Sequence, residues 1–318
     1  MIEQHLRQFL KKFHDGSPLL LALSGGPDSM ALFRLFLQEG VIFSVAHVDH
    51  GWRAESHDEA EQLAQLCQSY QLPFYTCRLN LQGSNLEDRC RQARYAFFRT
   101  CLQEGMQGVV LGHQADDWIE TVLKRIFEGA RLTKLAGLRP VTQFEGMTLL
   151  RPLLAVRKQE LINWLQKRQF WFFEDPTNAD PKFLRSRLRH EIYPMLQKSF
   201  GKSIDTSLLK LAQASLELEE DVSQRFSCPY TTTEDGGIIL DLRTACLPTT
   251  FAWKAQVGHF FDQQNVSISS ATRDQIVEHL KRGNIRKALH LKNCYVKLER
   301  RVLMLYHKTP ATEIRLET

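Results

Sequence analysis

Seven cysteines are spread over 318 residues, and no two of them stand in a C-x-x-C pair. Cys67, Cys77, Cys90, Cys101, Cys228, Cys246 and Cys294 are odd in number, which speaks against a disulfide framework. Their spacing speaks equally against a zinc or iron–sulfur site. Reduced thiols in a cytosol are the simple reading. No apolar run approaches the ~18 residues that a bilayer span requires. The opening segment, MIEQHLRQFLKKFHDG, lacks the apolar core and small-residue cleavage site of a signal peptide. Internal repeats and long low-complexity tracts are missing too. These absences predict a soluble, cytoplasmic protein with no membrane partner.

Hydrophobic residues make up 43% of the chain and charged residues 24%, so a folded state is expected, with length for two domains. The net charge of +5 is too small by itself to announce nucleic-acid binding. Its distribution is more telling. Lys281 to Arg301 holds eight Lys or Arg against the single acid Glu299, and Pro181 to Lys198 holds five against Glu191. Such clusters suit a phosphate backbone, though a solvated face is an equal account of either one alone.

Short apolar runs alternate with helical patterns through the first half. Leu19–Leu23, Val41–Val48, Pro73–Leu79 and Gly108–Leu111 read as strands. Asp28–Gln38 and the stretches 55–70, 86–104 and 116–128 read as helices. This alternation predicts an α/β fold, a Rossmann-like parallel sheet wound by crossover helices. Ligands in such sheets bind beyond the carboxyl ends of the strands. Composition shifts after about Phe200. The expected organisation is a domain over 1–204, a linker helix over 205–225 and a smaller α+β domain over 226–318.

The sharpest local feature is Leu21-Ala-Leu-Ser24-Gly25-Gly26-Pro27-Asp28-Ser29, between a strand and a helix. Gly25 and Gly26 let the backbone bend and approach a ligand closely. Pro27 has its φ preset for the first helical turn. Free amides there, with the hydroxyls of Ser24 and Ser29, can cradle a phosphate. The G-x-x-x-x-G-K-[ST] lysine is missing, so this is no Walker A loop. Asp28 stands where phosphates would lie, and it would repel them unless a divalent cation intervened. Magnesium is the natural choice. A structural turn with Asp28 answering the helix dipole is the plain alternative.

The segment S-G-G-P-D-S resembles the PP-loop of the N-type ATP pyrophosphatases, which split ATP between its α and β phosphates. Further motifs follow in order. They are His47-Val-Asp-His50-Gly-Trp-Arg53 with Glu55 and Ser56; Asn85-Leu-Glu87; Arg91 with Arg94-Tyr95; and Leu111-Gly-His113-Gln-Ala-Asp116-Asp117-Trp-Ile-Glu120-Thr121. Then come Arg151-Pro-Leu-Leu154, Glu174-Asp175-Pro-Thr-Asn178, Phe183-Leu-Arg185-Ser-Arg187-Leu-Arg189 and Pro194. Over residues 19–200 this pattern closely resembles the tRNA(Ile)-lysidine synthetases, and more weakly their first C-terminal domain beyond that. Longer members carry a further domain that this chain is expected to lack.

The resemblance implies an ATP-dependent ligase. Its substrate would be the wobble cytidine of isoleucine tRNA with a CAU anticodon. ATP adenylates the C2 oxygen with loss of pyrophosphate, and the ε-amine of L-lysine then displaces AMP. Magnesium would hold the pyrophosphate. The second step needs a neutral amine, so a carboxylate or histidine must take its proton. Catalytic candidates are Asp28, His113, Asp117 and Glu120. On one continuous helix positions 113, 117 and 120 would fall within about 60° of each other. Ile119, Val122, Leu123 and Ile126 form the opposite stripe, expected to pack on the sheet. A solvated face with a Glu120–Lys124 pair is the alternative. Arg94, Arg185 and, less strongly, Arg189 are candidate tRNA or phosphate contacts, with surface salt bridging as their plain account.

Two positions depart from the family pattern: Trp52 replaces a leucine and Ser186 an asparagine, which puts fine substrate contacts in doubt. Competing readings are another PP-loop ATP pyrophosphatase adenylating a different tRNA base or a small metabolite, and a nucleotide sensor without turnover. A homodimer is compatible with an exposed linker helix.

Overall fold

The computed structural model describes residues 1–51, 56–79, 81, 83, 86–173, 184–201, 203–226, 230–283, 286–291 and 294–307. Trp52, Arg53, Glu55, Asn85 and the motif Glu174–Asn178 lie outside the described residues, as does the side chain of Glu87. Two compact units are present: Met1–Glu128 with Leu135–Gln213, and Gly129–Lys134 with Ala214–Thr318.

The first unit begins with α1 (Ile2–Phe13), whose Ile2, Leu6 and Phe9 face inward. It continues through β1 (Leu19–Ala22), α2 (Pro27–Glu39), β2 (Phe43–Asp49), α3 (Ser56–Ser69), β3 (Phe74–Arg78), α4 (Leu86–Cys101), β4 (Gly108–Val110) and α5 (Ala115–Phe127). After these come β5 (Val141–Phe144), β6 (Met147–Leu150), α6 (Lys158–Lys167), α7 (Leu184–Arg187), a π-helical turn at Leu188–Ile192 and α8 (Tyr193–Phe200). The boundary between the units falls within α9 (Asp205–Arg225).

Six strands form one sheet in the order β3-β2-β1-β4-β6-β5. All neighbouring pairs are parallel except the β5–β6 hairpin. The sheet is covered on both faces, so its strands carry apolar residues at successive positions. Leu19, Leu21, Val45 and Val110 pack with Met30, Phe33 and Phe36 of α2 and with Leu161 and Leu165 of α6. Leu20, Ala46, Val109 and Leu149 point the other way, onto Tyr95 and Phe98 of α4. Strand order reverses between β1 and β4, since the chain runs outward through β2 and β3 and then returns. A crevice opens at such a switch point.

Two details differ from the sequence expectation. The β5–β6 hairpin was not anticipated; it turns on Glu145 and Gly146, both at positive φ (47° and 80°), as a two-residue primed turn demands. Part of the apolar stripe of α5 packs on later helices rather than on the sheet. Ile119 and Leu123 pack on Leu188, Ile192, Tyr193, Leu196, Leu208 and Leu209, and Ile126 is 39% exposed. Helices later in the sequence cover Ile119 and Leu123.

The second unit holds an antiparallel sheet, ordered β7-β8-β11-β10-β9. Its strands are β7 (Thr231–Thr232), β8 (Ile238–Asp241), β9 (Lys287–His290), β10 (Cys294–Glu299) and β11 (Val302–His307). Helices α10 (Thr250–Gln263) and α11 (Ser270–Arg282) cover one face. Thr249 and Ser269 cap them by accepting from Ala252 and Thr272 amides. This is the α+β arrangement expected. No described helix is long and apolar enough to cross a membrane.

Candidate nucleotide site

The loop after β1 is built around one forbidden side chain. Gly25 sits at φ 83°, and a Cβ there would come within 2.3 Å of the Phe173 ring. Phe173 also donates its backbone N–H to the Gly25 carbonyl at 2.8 Å. Glycine is therefore required twice, for backbone conformation and for the ring lying against it. Gly26 is the N-cap of α2 and Pro27 occupies the first turn. Ser29 accepts from the Ser24 amide at 3.2 Å and donates to the Gly26 carbonyl at 3.1 Å, and the two hydroxyls lie 3.1 Å apart. The loop is thus closed by its own serines before any ligand arrives.

Asp28 follows in the first turn of α2, with Oδ1 sealed from solvent and without a hydrogen-bond partner. Burial pushes its carboxyl up to about 7; the charge of Lys158 works against that rise, while Asp117 adds to it. An unmatched buried carboxylate oxygen beside free helix-terminal amides is a position that a hard cation would satisfy. No group of three or more His, Cys, Asp or Glu gathers among the described residues. A magnesium ion here would accordingly take one carboxylate and draw its other ligands from phosphates and water, its ordinary habit. The residues fit the ion.

Across the crevice, the loop after β4 approaches α2 closely. A Cβ on Gly112 would stand 3.2 Å from the Ser29 amide and 3.5 Å from Asp28 Cβ, so the absent side chain sets the width of the site. His113 precedes α5 rather than lying on it. Its Nδ1 is sealed without a partner, and burial lowers its pKa to about 3, helped by the charges of Arg151, Arg94, Arg185 and Arg91. Burial therefore favours the neutral imidazole of His113.

Asp117 and Glu120 come from the first two turns of α5. Gln114 caps the helix, accepting from the Asp116 amide at 2.5 Å, while its own amide donates to Asp117 Oδ2 at 3.2 Å. Arg189, from the π-helical turn, donates from Nε to Glu120 Oε1 at 2.6 Å and from Nη2 to Asp117 Oδ1 at 3.2 Å. Burial raises the pKa of both carboxyls in spite of the guanidinium. The Glu120–Lys124 pair does not form; Lys124 lies 3.8 Å from Glu128 instead. Arg189, expected at tRNA or phosphate, is engaged here as the clamp on this pair.

Arg94 lies beside His113 in the cavity wall, half-buried, with its Nε sealed and unmatched. Arg185 is exposed, yet close enough for its charge to act on His113, Asp117 and Glu120. Loop and crevice together enclose a cavity of about 290 Å³, walled by Ser24, Asp28, Ser29, His47, Arg94 and His113 among others. His47 offers its Nδ1 to the Leu23 carbonyl at 2.8 Å. A carbonyl only accepts, so the proton is on Nδ1 and Nε2 is an acceptor.

Several contributors escaped the sequence reading. Phe173 covers the glycine loop from a hundred and more residues away. Arg151 appeared only as part of a motif; it is buried, donating to the Arg139 carbonyl and Thr142 hydroxyl at 3.0 Å each, and its charge helps hold His113 neutral. Arg157 ties Asp116 to Asp205 at 2.6 and 2.5 Å. None of these partnerships follows a local spacing. A second cavity of about 310 Å³ lies in the second unit, where its lining cations are matched by Asp262 and Asp274.

Comparison with known proteins follows the same lines. Residues 1–196 match the PP-loop domain family. The chain is 38% identical over 304 residues to a tRNA(Ile)-lysidine synthase of Chlamydia muridarum, covering 93% of this chain and 94% of that protein. It is 46% identical over 222 residues to one of Protochlamydia amoebophila, covering 67% of this chain and 48% of that protein. Among solved structures, the U34-tRNA thiolase NcsA of Methanococcus maripaludis, determined with its [4Fe-4S] cluster, superposes with a TM-score of 0.55 at 18% identity. That superposition covers 69% of this chain and 78% of the thiolase, and it speaks to fold alone. The glycine loop at the switch point and the likeness to the Chlamydia muridarum protein over 93% of this chain agree: the chain belongs to the tRNA(Ile)-lysidine synthase family, on a PP-loop fold.

Proposed function

We propose that the protein joins lysine to C2 of the wobble cytidine of isoleucine tRNA bearing a CAU anticodon, consuming ATP and releasing AMP and pyrophosphate. The observation that carries this reading is two unlike devices near enough for their charges to act on each other. One is an unmatched buried carboxylate, Asp28, beside a glycine loop. The other is a clamped carboxylate pair, Asp117 and Glu120, on the facing helix.

In the first step the cytidine C2 oxygen attacks the α phosphorus of ATP and pyrophosphate leaves. Ser24, Gly25, Gly26, Pro27 and Ser29 shape the cradle for the phosphates, whose charge Asp28 would repel if it acted alone. Asp28 would hold a magnesium ion, which when bound would supply the neutralising charge. Arg94 lines the same cavity, and its guanidinium charge suits a phosphate or the charge developing on the base. Neutral His113 can exchange a hydrogen bond with the base, but a group with a pKa near 3 is a poor proton acceptor.

In the second step the ε-nitrogen of lysine attacks C2, and the C2–O bond to AMP breaks. The ammonium must first lose a proton. Asp117 and Glu120 bind a cation already, that of Arg189, and their raised pKa makes them better bases than exposed carboxylates. Lysine shares or displaces that guanidinium and leaves its proton on the pair. Arg185 and the basic second unit face the tRNA. On this reading residues 1–204 are catalytic, 205–225 connect, and 226–318 bind tRNA, in the cytoplasm where all three substrates meet.

Mass spectrometry of the tRNA after incubation with ATP, magnesium and lysine tests the proposal. A lysine adduct confined to the anticodon wobble cytidine is expected, and an unmodified anticodon would refute it.

A further inference from the structure

The sheet of the second unit has two unlike faces. Cys294, Val296, Leu298, Leu303 and Leu305 turn inward beneath α10 and α11, and the unit's apolar core takes its strand residues from that side. Alternation therefore places Tyr295 and Lys297 of β10, with Met304 and Tyr306 of β11, on the opposite side. Tyr295 pairs across the strands with Tyr306 on one side and His290 on the other.

These side chains form an ordered ladder. The two tyrosine rings stack at 4.8 Å with 6° between planes, and His290 flanks Tyr295 at 6.2 Å. A Cβ on Gly237 would lie 2.6 Å from the Tyr306 ring, so this glycine lets the ring settle over β8. Lys297 Nζ rests 4.9 Å from the Tyr306 centroid and 5.7 Å from that of Tyr295. No described carboxylate lies within ion-pair distance of Lys297, whereas Glu299 is matched by Arg286 at 2.9 Å. The Thr233 hydroxyl, donating to the Asp235 carboxylate, holds its pKa below the usual range, and the Lys297 charge adds a smaller push the same way.

The structure also divides the basic run seen in the sequence. Lys281 donates to Thr250 at 2.9 Å and Arg282 pairs with Glu278 at 3.0 Å, both on α11 and away from this face. Lys297 is the cation that the open face itself presents over the ladder.

We infer that this face, with Tyr295, Lys297, Tyr306 and His290 as its contact groups, binds the sugar-phosphate backbone of the tRNA. Stacking of splayed bases is the usual use of aromatic residues on a sheet. Here the ring faces are occupied by each other, by His290 and by Gly237. What remains for a partner is the Tyr295 hydroxyl, the Tyr306 hydroxyl that now donates to Met304 Sδ at 3.9 Å, an imidazole and an ammonium, all able to turn to phosphate and ribose oxygens. The inference rests on the tRNA reading above and assigns it a surface.

Full-length protein and an isoleucine tRNA transcript, titrated over a salt series, provide the test. Lys297→Ala and the double variant Tyr295→Phe with Tyr306→Phe, which keeps both rings, should each weaken tRNA binding about threefold to tenfold. Lys297→Ala should also flatten the slope of log affinity against log salt by roughly 0.7–0.9, one phosphate contact's worth. The KM for ATP should not move. Unchanged affinity and slope in both variants would overturn the inference while leaving the enzymatic reading intact. A change of oligomeric state with tRNA affinity preserved would also overturn it, assigning the face to a second copy. Wild-type protein with no affinity for the transcript would remove the tRNA reading itself, before any substitution is made.

Discussion

Asp28 and His113 face one crevice, and burial perturbs them in opposite senses. The Asp28 carboxyl rises from 3.8 to about 7, so stability tied to its protonated form is complete below pH 3.8 and lost as pH climbs through 7. His113 falls from 6.5 to about 3, so its contribution is complete above pH 6.5 and lost as pH drops toward 3. Between roughly pH 4 and 6.5 the two offset each other. Replacing Asp28 by Asn removes one side of that balance. In metal-free buffer at pH 8, Asp28→Asn should stabilise the protein by on the order of 2–4 kcal/mol while pyrophosphate release is lost. Thermal melts with and without the substitution check this, and an unchanged or lower melting temperature would contradict it. Arg189→Ala acts in the reverse direction, leaving two buried carboxylates without their cation. A loss of about 2–4 kcal/mol is expected at pH 8, shrinking at pH 5 as the pair takes up protons. Denaturant unfolding at both values reads it; equal losses would mean that Arg189 matters by packing alone.

The strands and helices that position these residues were largely legible. Leu19–Leu23 and Gly108–Leu111 announce β1 and β4 because a strand buried on both faces has to be apolar throughout. The S-G-G-P-D-S turn then places Asp28 at the start of α2, as local chemistry dictates. What stayed hidden depends on contacts distant in sequence. The β5–β6 hairpin rests on Glu145-Gly146, a weak signal until strand pairing is known. The strap of Phe173 over Gly25, and the Arg189 clamp on a helix dozens of residues earlier, have no periodicity to reveal them. Glycines mark such places after the fact. A Cβ on Gly108 would lie 2.2 Å from the Thr148 carbonyl oxygen of β6. Gly108→Ala should therefore push β4 from β6 and cost about 1–3 kcal/mol, with activity falling because β4 carries the loop to His113. Calorimetry decides it, and a neutral substitution would show that the sheet relaxes freely there.

At the scale of the whole molecule, a modest charge of +5 conceals an uneven distribution whose meaning depends on the fold. The basic run from Lys281 to Arg301 looked like one patch, but α11 and the sheet share it out between different surfaces. Gly129–Lys134 belongs to the second unit although it lies far from it in sequence, through contacts such as Arg131 to Asp262 at 2.7 Å, for which Gly258 makes room. On the proposed reading the crevice of the first unit holds ATP and the carboxylate pair receives the amine, which would make the two chemical steps separable. Single-turnover product analysis with the isoleucine tRNA, ATP and magnesium, first without lysine and then with it, tests that claim most directly. The account predicts pyrophosphate and adenylated tRNA in the first stage, with AMP appearing when lysine is added. Release of ADP and phosphate, or pyrophosphate formation indifferent to tRNA, would contradict it.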